Sequence, residues 1–309
     1  MPSPCLVVGL DAGASKTLLL AQRPGSRASF EHRGPGANPN RIGRTEAINV
    51  LVRLIETALR EASGVEHVSV CAGVAGAGRP EEQQALTDAL REALRSSTLS
   101  SVRVEVVHDA QIAVDAAYED KSGVIVITGT GSVVLGRTTE DELLRAGGWG
   151  HVLGDAGSGH ALGRAGLRAV AEAFDGGTDT LLQARVREQC NIDNRDALLQ
   201  TVYQDAFDVQ AVAPLVIEAA ADGDAVATDL LDIQVGRLTD QVGWLLSRSE
   251  AMVPRITLLG GLLKNDLYEQ CLRRHLRDRF PDWAVKVLQE EPVVGALRRA
   301  RRLQSNPNA

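Results

Sequence analysis

The sequence predicts a mixed α/β fold made of two similar domains. Its 309 residues are enough for about two domains. Three predicted strands followed by alternating helices and strands fill the first part of the chain, and the same order begins again near Val124. In each part the first two strands meet at a polar turn with glycine and serine, and a glycine-rich loop follows the third strand. Such long repeats indicate duplicated domains facing each other across a cleft, where ligands prefer to bind.

In the first part, short apolar runs and a 3.6-residue periodicity predict five strands and three helices. The strands are expected at Leu6–Leu10, Thr17–Ala21, Ser29–Arg33, Val68–Val74 and Val102–Val107. The helices are expected at Arg41–Ala62, Pro80–Arg95 and Ala110–Tyr118.

In the second part, the same signals predict five more strands. They are expected at Val124–Ile127, Val133–Gly136, Leu143–Ala146, Ile256–Leu259 and Val285–Leu288. Helices are expected at Ser158–Phe174, Leu262–Arg279 and Val294–Leu303, and a helical region over about 181–249 interrupts the repeat. We therefore expect one domain over residues 1–108 and 290–309, and another over 109–289 with a helical insertion at about 177–250.

Composition excludes several classes of protein. The net charge is −7 and no dense basic run is present, which argues against a nucleic-acid partner. A C-terminal group of arginines is expected on the solvent face of the last helix: Arg298, Arg299, Arg301 and Arg302. The four cysteines show no Cys-x-x-Cys spacing, so a disulfide framework or metal knuckle is not expected. Without a signal-peptide pattern or an apolar run of about eighteen residues, we expect a cytoplasmic protein that does not enter a membrane.

The two hairpin tips are candidate phosphate-binding loops. Backbone N–H groups in tight turns form anion-binding concavities. Ser15, Thr17, Thr130 and Ser132 would add hydroxyl donors and Lys16 a positive charge, while Asp11 would hold hydrated Mg²⁺, which needs only one or two carboxylates. The alternative is that both are ordinary hairpin turns. The run Gly73–Gly78 resembles half of a dinucleotide fingerprint, but no acidic residue ends a strand about twenty residues later, which disfavours a nicotinamide cofactor.

Other candidate residues follow strands or lie in the glycine-rich loops. Asp109 is either the N-cap of a helix or a general base at the end of a strand. Trp149 and Asp155 lie among glycines, and we expect Trp149 to form an apolar platform. Asn38, in the earlier loop, is either a turn residue or a ligand contact. His108, His151 and His160 lack a shared metal-ligand spacing and are expected to pack or to form hydrogen bonds.

Several motifs occur in a fixed order along nearly the whole chain. They are DAGASKT (Asp11–Thr17), Asp109-Ala110, TGTGS (Thr128–Ser132), GGWGHVLGDAGSG (Gly147–Gly159), ITLLGG (Ile256–Gly261) and PVVGAL (Pro292–Leu297). Together they resemble the N-acetylglucosamine kinase branch of the sugar kinase/actin superfamily, the group of BadF/BadG/BcrA/BcrD-type ATPases. The set in this order is specific, whereas each motif alone is not.

The resemblance implies two ribonuclease-H-like (actin-like ATPase) domains that use ATP and Mg²⁺ to phosphorylate the 6-hydroxyl of an amino sugar, foremost N-acetylglucosamine. It implies a cofactor site made by the first phosphate loop, the second phosphate loop and the adenosine motif: Asp11, Gly13, Thr17, Gly129, Thr130, Gly131, Ser132, Gly260 and Gly261. We expect Ser15 and Lys16 to join this site. It implies that Asp109 is the catalytic base. The sugar contacts that it implies are Asn38, Gly148, Trp149 and Asp155, and we expect Asp109 and Thr130 to join them. A homodimer is also expected.

The chain departs from the family pattern at a few positions. Ala12 and Ala14 stand where the family often has glycine, and Ala156 replaces the glutamate of Gly-Asp-Glu-Gly-Ser. The loss of this glutamate leaves the amino sugar open, with glucosamine or another hexosamine as alternatives. Two other functions are weighed: a redox-activating ATPase, for which the cysteines are not suitably placed, and a non-catalytic sensor, against which Asp11 and Asp109 argue.

Overall fold

The computed structural model describes residues 4–26, 28–95, 99–119, 121–204 and 207–305. The strands are β1 (Cys5–Ala12), β2 (Lys16–Gln22), β3 (Ser29–Pro35), β4 (His67–Val74), β5 (Ser101–His108), β6 (Gly123–Thr128), β7 (Ser132–Arg137), β8 (Leu143–Gly147), β9 (Arg255–Leu259) and β10 (Ala284–Val287). The helices are α1 (Pro39–Ile42), α2 (Arg44–Ala62), α3 (Pro80–Ala93), α4 (Asp109–Tyr118), α5 (Gly159–Phe174), α6 (Leu181–Cys190), α7 (Arg195–Gln204), α8 (Ala213–Ala221), α9 (Ala225–Leu246), α10 (Asp266–Arg279) and α11 (Pro292–Ser305). Short 3₁₀ turns occupy Val209–Val212 and Gly261–Lys264.

The chain divides into two compact units, one of residues 1–120 and 289–309 and one of residues 121–288. The sheet of the first unit has the order β3-β2-β1-β4-β5 and that of the second unit the order β10-β9-β6-β7-β8. In both sheets the first three strands form an antiparallel meander and the last two run parallel to the first. When β6–β10 are matched to β1–β5, the two sheets have the same order and directions. This confirms the predicted fold class and its repeat.

In the first unit, successive side chains of a strand lie on opposite faces of the sheet and pack into two separate apolar layers, as the two-residue period of a strand requires. Val8 and Leu10 of β1 belong to a core with α2 and α3. Val7, on the opposite face of β1, belongs to a second core with residues of α4 and α11, including Ile112 and Leu297. A β-carbon on Gly9 would lie 2.4 Å from the Leu297 nitrogen, so a glycine is needed where α11 crosses β1.

The expectation that the C-terminal arginines lie on a solvent face is wrong for Arg298 and Arg299, whose side chains are 23% and 21% exposed, whereas that of Arg302 is 41% exposed. The Asp115 carboxylate on α4 is fully buried and lies 3.0 Å from Arg299 and 3.2 Å from Arg302. Arg299 also pairs with Glu105 of β5 at 2.7 Å. These ion pairs bind α11 to α4 and to the sheet.

In the second unit, the helices gather around one large core. Val126 and Val134 of the sheet pack with Leu162 of α5, Val235 of α9 and Leu272 of α10. Helices α6 to α9 lie within the region that was expected to interrupt the repeat. They enlarge the core on which the glycine-rich loop before α5 rests.

One expected domain boundary and two expected helix starts differ from the structure for a physical reason, beyond shifts of one or two residues elsewhere. The division between units falls after residue 120 rather than before Asp109, because α4 packs on α11 and the first sheet. The helix expected from Arg41 is broken at Gly43, whose φ of 80° is unsuited to helix. The helix expected from Leu262 begins at Asp266, because the Asn265 side chain accepts hydrogen bonds from Leu267 N and Tyr268 N and caps it there.

Candidate functional site

In the first unit, the tip of the β1–β2 hairpin is a tight turn that exposes its polar side chains. Gly13 N donates to the Lys16 carbonyl at 2.9 Å, which closes the turn and leaves Ser15 and Lys16 exposed. The loop after β3 supports it from behind, because Ala37 N donates to the Gly13 carbonyl at 3.1 Å. The turn therefore presents backbone amides, a hydroxyl and an ammonium group on a rigid base.

Thr17 does not present its hydroxyl at this tip. Its side chain is 1% exposed, and Oγ1 donates to the Pro35 carbonyl at 2.7 Å. Thr17 thus joins β2 to the end of β3. Of the hydroxyls expected in the first phosphate loop, only that of Ser15 is exposed in the described structure.

Asp11, at the end of β1, has a pKa raised to about 6. Burial is the largest cause, and the negative charge of Asp109 is the next. The positive charge of Lys16 lowers the pKa of Asp11, and the negative charge of Glu291, the residue before α11, raises it further. Asp11, Asp109 and Lys16, which were predicted separately, are therefore electrostatically coupled.

Asp109 begins α4 directly after β5. Its Oδ1 accepts a hydrogen bond from Ala110 N at 2.8 Å and lies 3.0 Å from His108 Nδ1, and its side chain is 36% exposed. The N-cap of the helix is His108, whose side chain accepts from Ala110 N. The interpretation of Asp109 as the N-cap is wrong, and its carboxylate remains partly exposed at the start of the helix.

Asn38 lies in the loop after β3. Its Oδ1 accepts from Asn40 N at 2.9 Å, which makes it the N-cap of α1. A β-carbon on Gly76 would lie 2.6 Å from the same oxygen. Asn38 therefore has the structural role of a turn residue and lies next to the loop that follows β4.

In the second unit, the tip of the β6–β7 hairpin repeats the arrangement of the first. Gly129 N donates to the Gly131 carbonyl at 2.9 Å, and Thr130 is exposed between them. The start of α5 holds the tip in place, since Gly159 N donates to the Gly129 carbonyl at 2.8 Å and His160 N to the Thr130 carbonyl at 3.2 Å. These two amides are thereby occupied.

Ser132 resembles Thr17 in that its hydroxyl is used internally. It is 5% exposed and donates to the Ala156 carbonyl at 2.7 Å. Gly148 N donates to the Ser132 carbonyl at 3.1 Å, so the hairpin and the glycine-rich loop are joined on both sides of this residue.

The adenosine motif lies against the base of this second hairpin. A β-carbon on Gly260 would lie 1.8 Å from the Thr128 carbonyl oxygen, and one on Gly129 would lie 3.8 Å from Gly261 N. The structure thus brings together two motifs that are far apart in the sequence. Tyr268, which the sequence did not single out, supports them: its hydroxyl bonds Thr128 Oγ1 at 2.9 Å and the Gly157 carbonyl at 2.5 Å.

Of the three expected sugar contacts in the glycine-rich loop, Asp155 and Trp149 differ greatly in exposure. Asp155 is 7% exposed, has a φ of 63°, and its Oδ2 would lie 2.9 Å from a β-carbon on Gly131. Trp149 is 72% exposed, with the Arg145 guanidinium 6.0 Å from its ring centre. Asp155 is therefore fixed beside the hairpin tip, whereas the ring of Trp149 lies on the surface of its unit.

The donor set suits Mg²⁺ and the phosphates of a nucleotide. An ionised Asp11 is disfavoured by burial and by Asp109, and a divalent cation would offset both effects. Among the described residues, the one group of three possible ligand side chains within 4.8 Å is Asp232, Cys271 and His275. A hydrated Mg²⁺ needs only one or two carboxylates.

Glu291 is the acidic residue that sequence reasoning missed; its position just before PVVGAL was the available signal.

Two compact units of this sheet order, each with a glycine-containing hairpin tip, define a duplicated ATPase-type fold. The chain belongs to the BadF/BadG/BcrA/BcrD ATPase family, which it matches over residues 8–299. This confirms the resemblance found in the sequence. Among the described helices, none has both the length and the apolar character needed to cross a bilayer.

Two curated relatives and one solved structure are similar to nearly the whole chain. An N-acetylmuramic acid/N-acetylglucosamine kinase from Clostridium acetobutylicum is 31% identical over 96% of this chain and 98% of its own length. An N-acetyl-D-glucosamine kinase from Dictyostelium discoideum is 24% identical over 94% of this chain and 96% of its own length. A structure assigned as an N-acetylglucosamine kinase from Chromobacterium violaceum has a TM-score of 0.73 at 22% identity and covers 94% of this chain and 97% of that chain.

Proposed function

We propose that this protein is an ATP-dependent kinase that phosphorylates the 6-hydroxyl of an amino sugar, with N-acetylglucosamine as the first acceptor to test. The observation that carries the proposal is the placement of Asp11 at the end of β1, next to the exposed Ser15–Lys16 turn, with Asp109 at the start of α4 near enough to raise the pKa of Asp11. The kinase names of the curated relatives support it.

The residues have distinct tasks in this proposal. The backbone amides between Gly13 and Lys16 and between Gly129 and Ser132 receive the phosphates, with Lys16 adding positive charge and the exposed hydroxyls of Ser15 and Thr130 adding donors. Thr17 and Ser132 keep the two hairpins rigid through their internal hydrogen bonds. Gly260 and Gly261 leave room for the adenosine.

Asp109 takes the proton of the sugar hydroxyl as general base, and Asp11 holds hydrated Mg²⁺. When bound, ATP supplies the phosphoryl group and Mg²⁺ neutralises charge on it; phosphoryl transfer otherwise needs mainly positioning. Asp155, buried beside Gly131, accepts hydrogen bonds from hydroxyl groups of the sugar. Trp149, Gly148 and Asn38 are further sugar contacts.

The test compares Asp109→Asn with Asp266→Asn. Both aspartates begin a helix, and Asp266 is exposed at the start of α10. We expect Asp109→Asn to lose about 100-fold or more in kcat, the range of general-base catalysis, while calorimetry still detects sugar binding. Asp266→Asn should keep wild-type turnover.

Full activity of Asp109→Asn would refute the assignment of the base. The activity itself is measured as ADP release with glucose, glucosamine, N-acetylglucosamine, N-acetylmannosamine and N-acetylmuramic acid. If no sugar stimulates ATP turnover, the kinase proposal fails.

The redox-activating alternative loses support, because Cys71 and Cys271 are buried. The homodimer and the cytoplasmic location remain predictions, and light scattering tests the first.

A further inference from the structure

A groove of about 830 Å³ in the second unit has no role in the chemistry described so far. Its walls come from the glycine-rich loop after β8, the start of α5 and one side of α9. It therefore adjoins the loop that carries Trp149 and Asp155. Trp149 is the expected sugar contact that also lines the groove.

The groove is strongly positive in a protein whose net charge is −7. Among the described residues, four arginines line it and no aspartate or glutamate does: Arg145, Arg164, Arg237 and Arg248. Three of them donate to main-chain carbonyls, Arg145 to Gly147, Arg164 to His151 and Arg248 to Arg145. A carbonyl oxygen orients a guanidinium group without neutralising it. The positive charge is thus available to an anionic ligand, and guanidinium forks match carboxylates.

Apolar surface and an unpaired polar atom accompany this charge. Trp149 and Trp244 both line the groove, with 72% and 61% of their surface exposed. Flat rings of this kind can lie against the carbon-bearing face of a sugar or an acyl group. Gln241, 6% exposed, also lines the groove, and within the described part of the chain its Oε1 has no hydrogen-bond partner. This oxygen is buried against Gly147, so the groove presents apolar surface and cationic donors to a ligand.

Ala156 links the groove to the departure seen in the sequence. It lines the groove at the place where the related motif carries glutamate. A carboxylate there would lie in the same groove as the arginines and would repel an acidic ligand. Alanine removes that repulsion and leaves the arginine charge uncompensated.

We infer that this groove recognises a carboxylate on the substrate, so that the enzyme takes N-acylated amino sugars with an acidic substituent in preference to neutral ones. The inference rests on the proposed kinase function, because the glycine-rich loop must hold the sugar. A second copy of the chain suits the groove less well. A two-fold contact would bring the same arginines of both copies together, and like charges at an interface are unfavourable.

The experiment compares N-acetylmuramic acid, whose lactyl ether carries a carboxylate, with neutral N-acetylglucosamine. The ratio of their kcat/KM values is measured for wild type, for the double variant Arg164→Gln/Arg237→Gln and for Ala156→Glu. We expect the ratio to fall about ten- to hundredfold in both variants, as the loss of a charge-assisted hydrogen bond predicts. Calorimetry without ATP should show the same loss for the acidic sugar.

Two controls separate charge from other effects. Ala156→Gln has nearly the bulk of Ala156→Glu without its charge, and its ratio should stay close to that of wild type. Arg187→Gln removes an exposed arginine of α6 that does not line the groove, and should leave the ratio unchanged. Thermal melts of all variants show whether each is folded.

The inference is overturned if wild type phosphorylates the neutral sugar but does not bind the acidic one. It is equally overturned if the ratio stays constant in folded arginine variants, including the case in which those variants turn a dimer into a monomer by light scattering. A protein that phosphorylates neither sugar refutes the proposed function instead.

Discussion

Replacement of Asp11 by asparagine should stabilise the fold while it abolishes activity. The pKa of Asp11 rises from its ordinary 3.8 to about 6, because burial and Asp109 disfavour the ionised form. A carboxyl with a raised pKa in the folded state destabilises that state when ionised. The penalty is absent below pH 3.8, grows as the pH rises to about 6 and is complete above it. This rise corresponds to about 3 kcal/mol above pH 7 and roughly half of that at pH 5.

Urea unfolding at pH 5 and pH 8 measures this effect. Asp11→Asn has the shape of the neutral carboxyl, so its free energy of unfolding should exceed that of wild type by up to about 3 kcal/mol at pH 8 and by less at pH 5. Mg²⁺ added alone at pH 8 should stabilise wild type and not the variant. Glu66→Gln, which removes an exposed carboxylate of the same unit, should change little at either pH.

A variant that is no more stable than wild type at pH 8 would refute the reasoning. So would a gain that is the same at both pH values, since it would not come from ionisation. Either result would also remove the argument that this position is prepared for a cation.

Two further predictions concern the frame around the site. Asp115→Ala should lower the free energy of unfolding by about 3 kcal/mol, because it removes a fully buried carboxylate that pairs with two arginines. Asp88→Ala breaks an exposed pair with Arg91 and should cost under about 1 kcal/mol. Equal losses in urea unfolding would contradict this. Gly260→Ala should lower the melting temperature markedly, since its β-carbon would lie 1.8 Å from a carbonyl oxygen at a φ of 131°. Gly261→Ala, with open space around it, should stay close to wild type, and similar melting temperatures would show that the backbone contact is not restrictive.

The strands were predictable because nearly every one is an apolar run closed by a polar or glycine-rich turn. The repeat was predictable for the same reason, since order and spacing survive where residue identity does not. The direction of individual side chains was not. Thr17 and Ser132 have the residue type of phosphate ligands, yet their hydroxyls bond carbonyls within their own unit. The direction of such a hydroxyl depends on an acceptor many residues away, as Pro35 is from Thr17. The local sequence pattern does not contain that information.

The burial and pairing of the charged side chains were equally unpredictable from the sequence. A run of C-terminal arginines reads as a solvated helix face, and only the fold reveals the buried Asp115 beneath Arg299 and Arg302. The groove of the second unit combines residues from β8, the following loop, α5 and α9, so no window of the sequence contains it. Ala156 was the one local signal, because it departs from the family motif at this groove.

The position of α11 bears on the order in which the chain folds during synthesis. The second unit is one continuous segment, residues 121–288, and can form as soon as it has been made. The first unit must wait, because Val7 and Ile112 find their apolar cover in Leu297 and its neighbours near the end of the chain. Until then one face of the first sheet is open to water and to other nascent chains. A ribosome that stalls before α11 should therefore yield a polypeptide that chaperones retain, with one unit folded and the other incomplete.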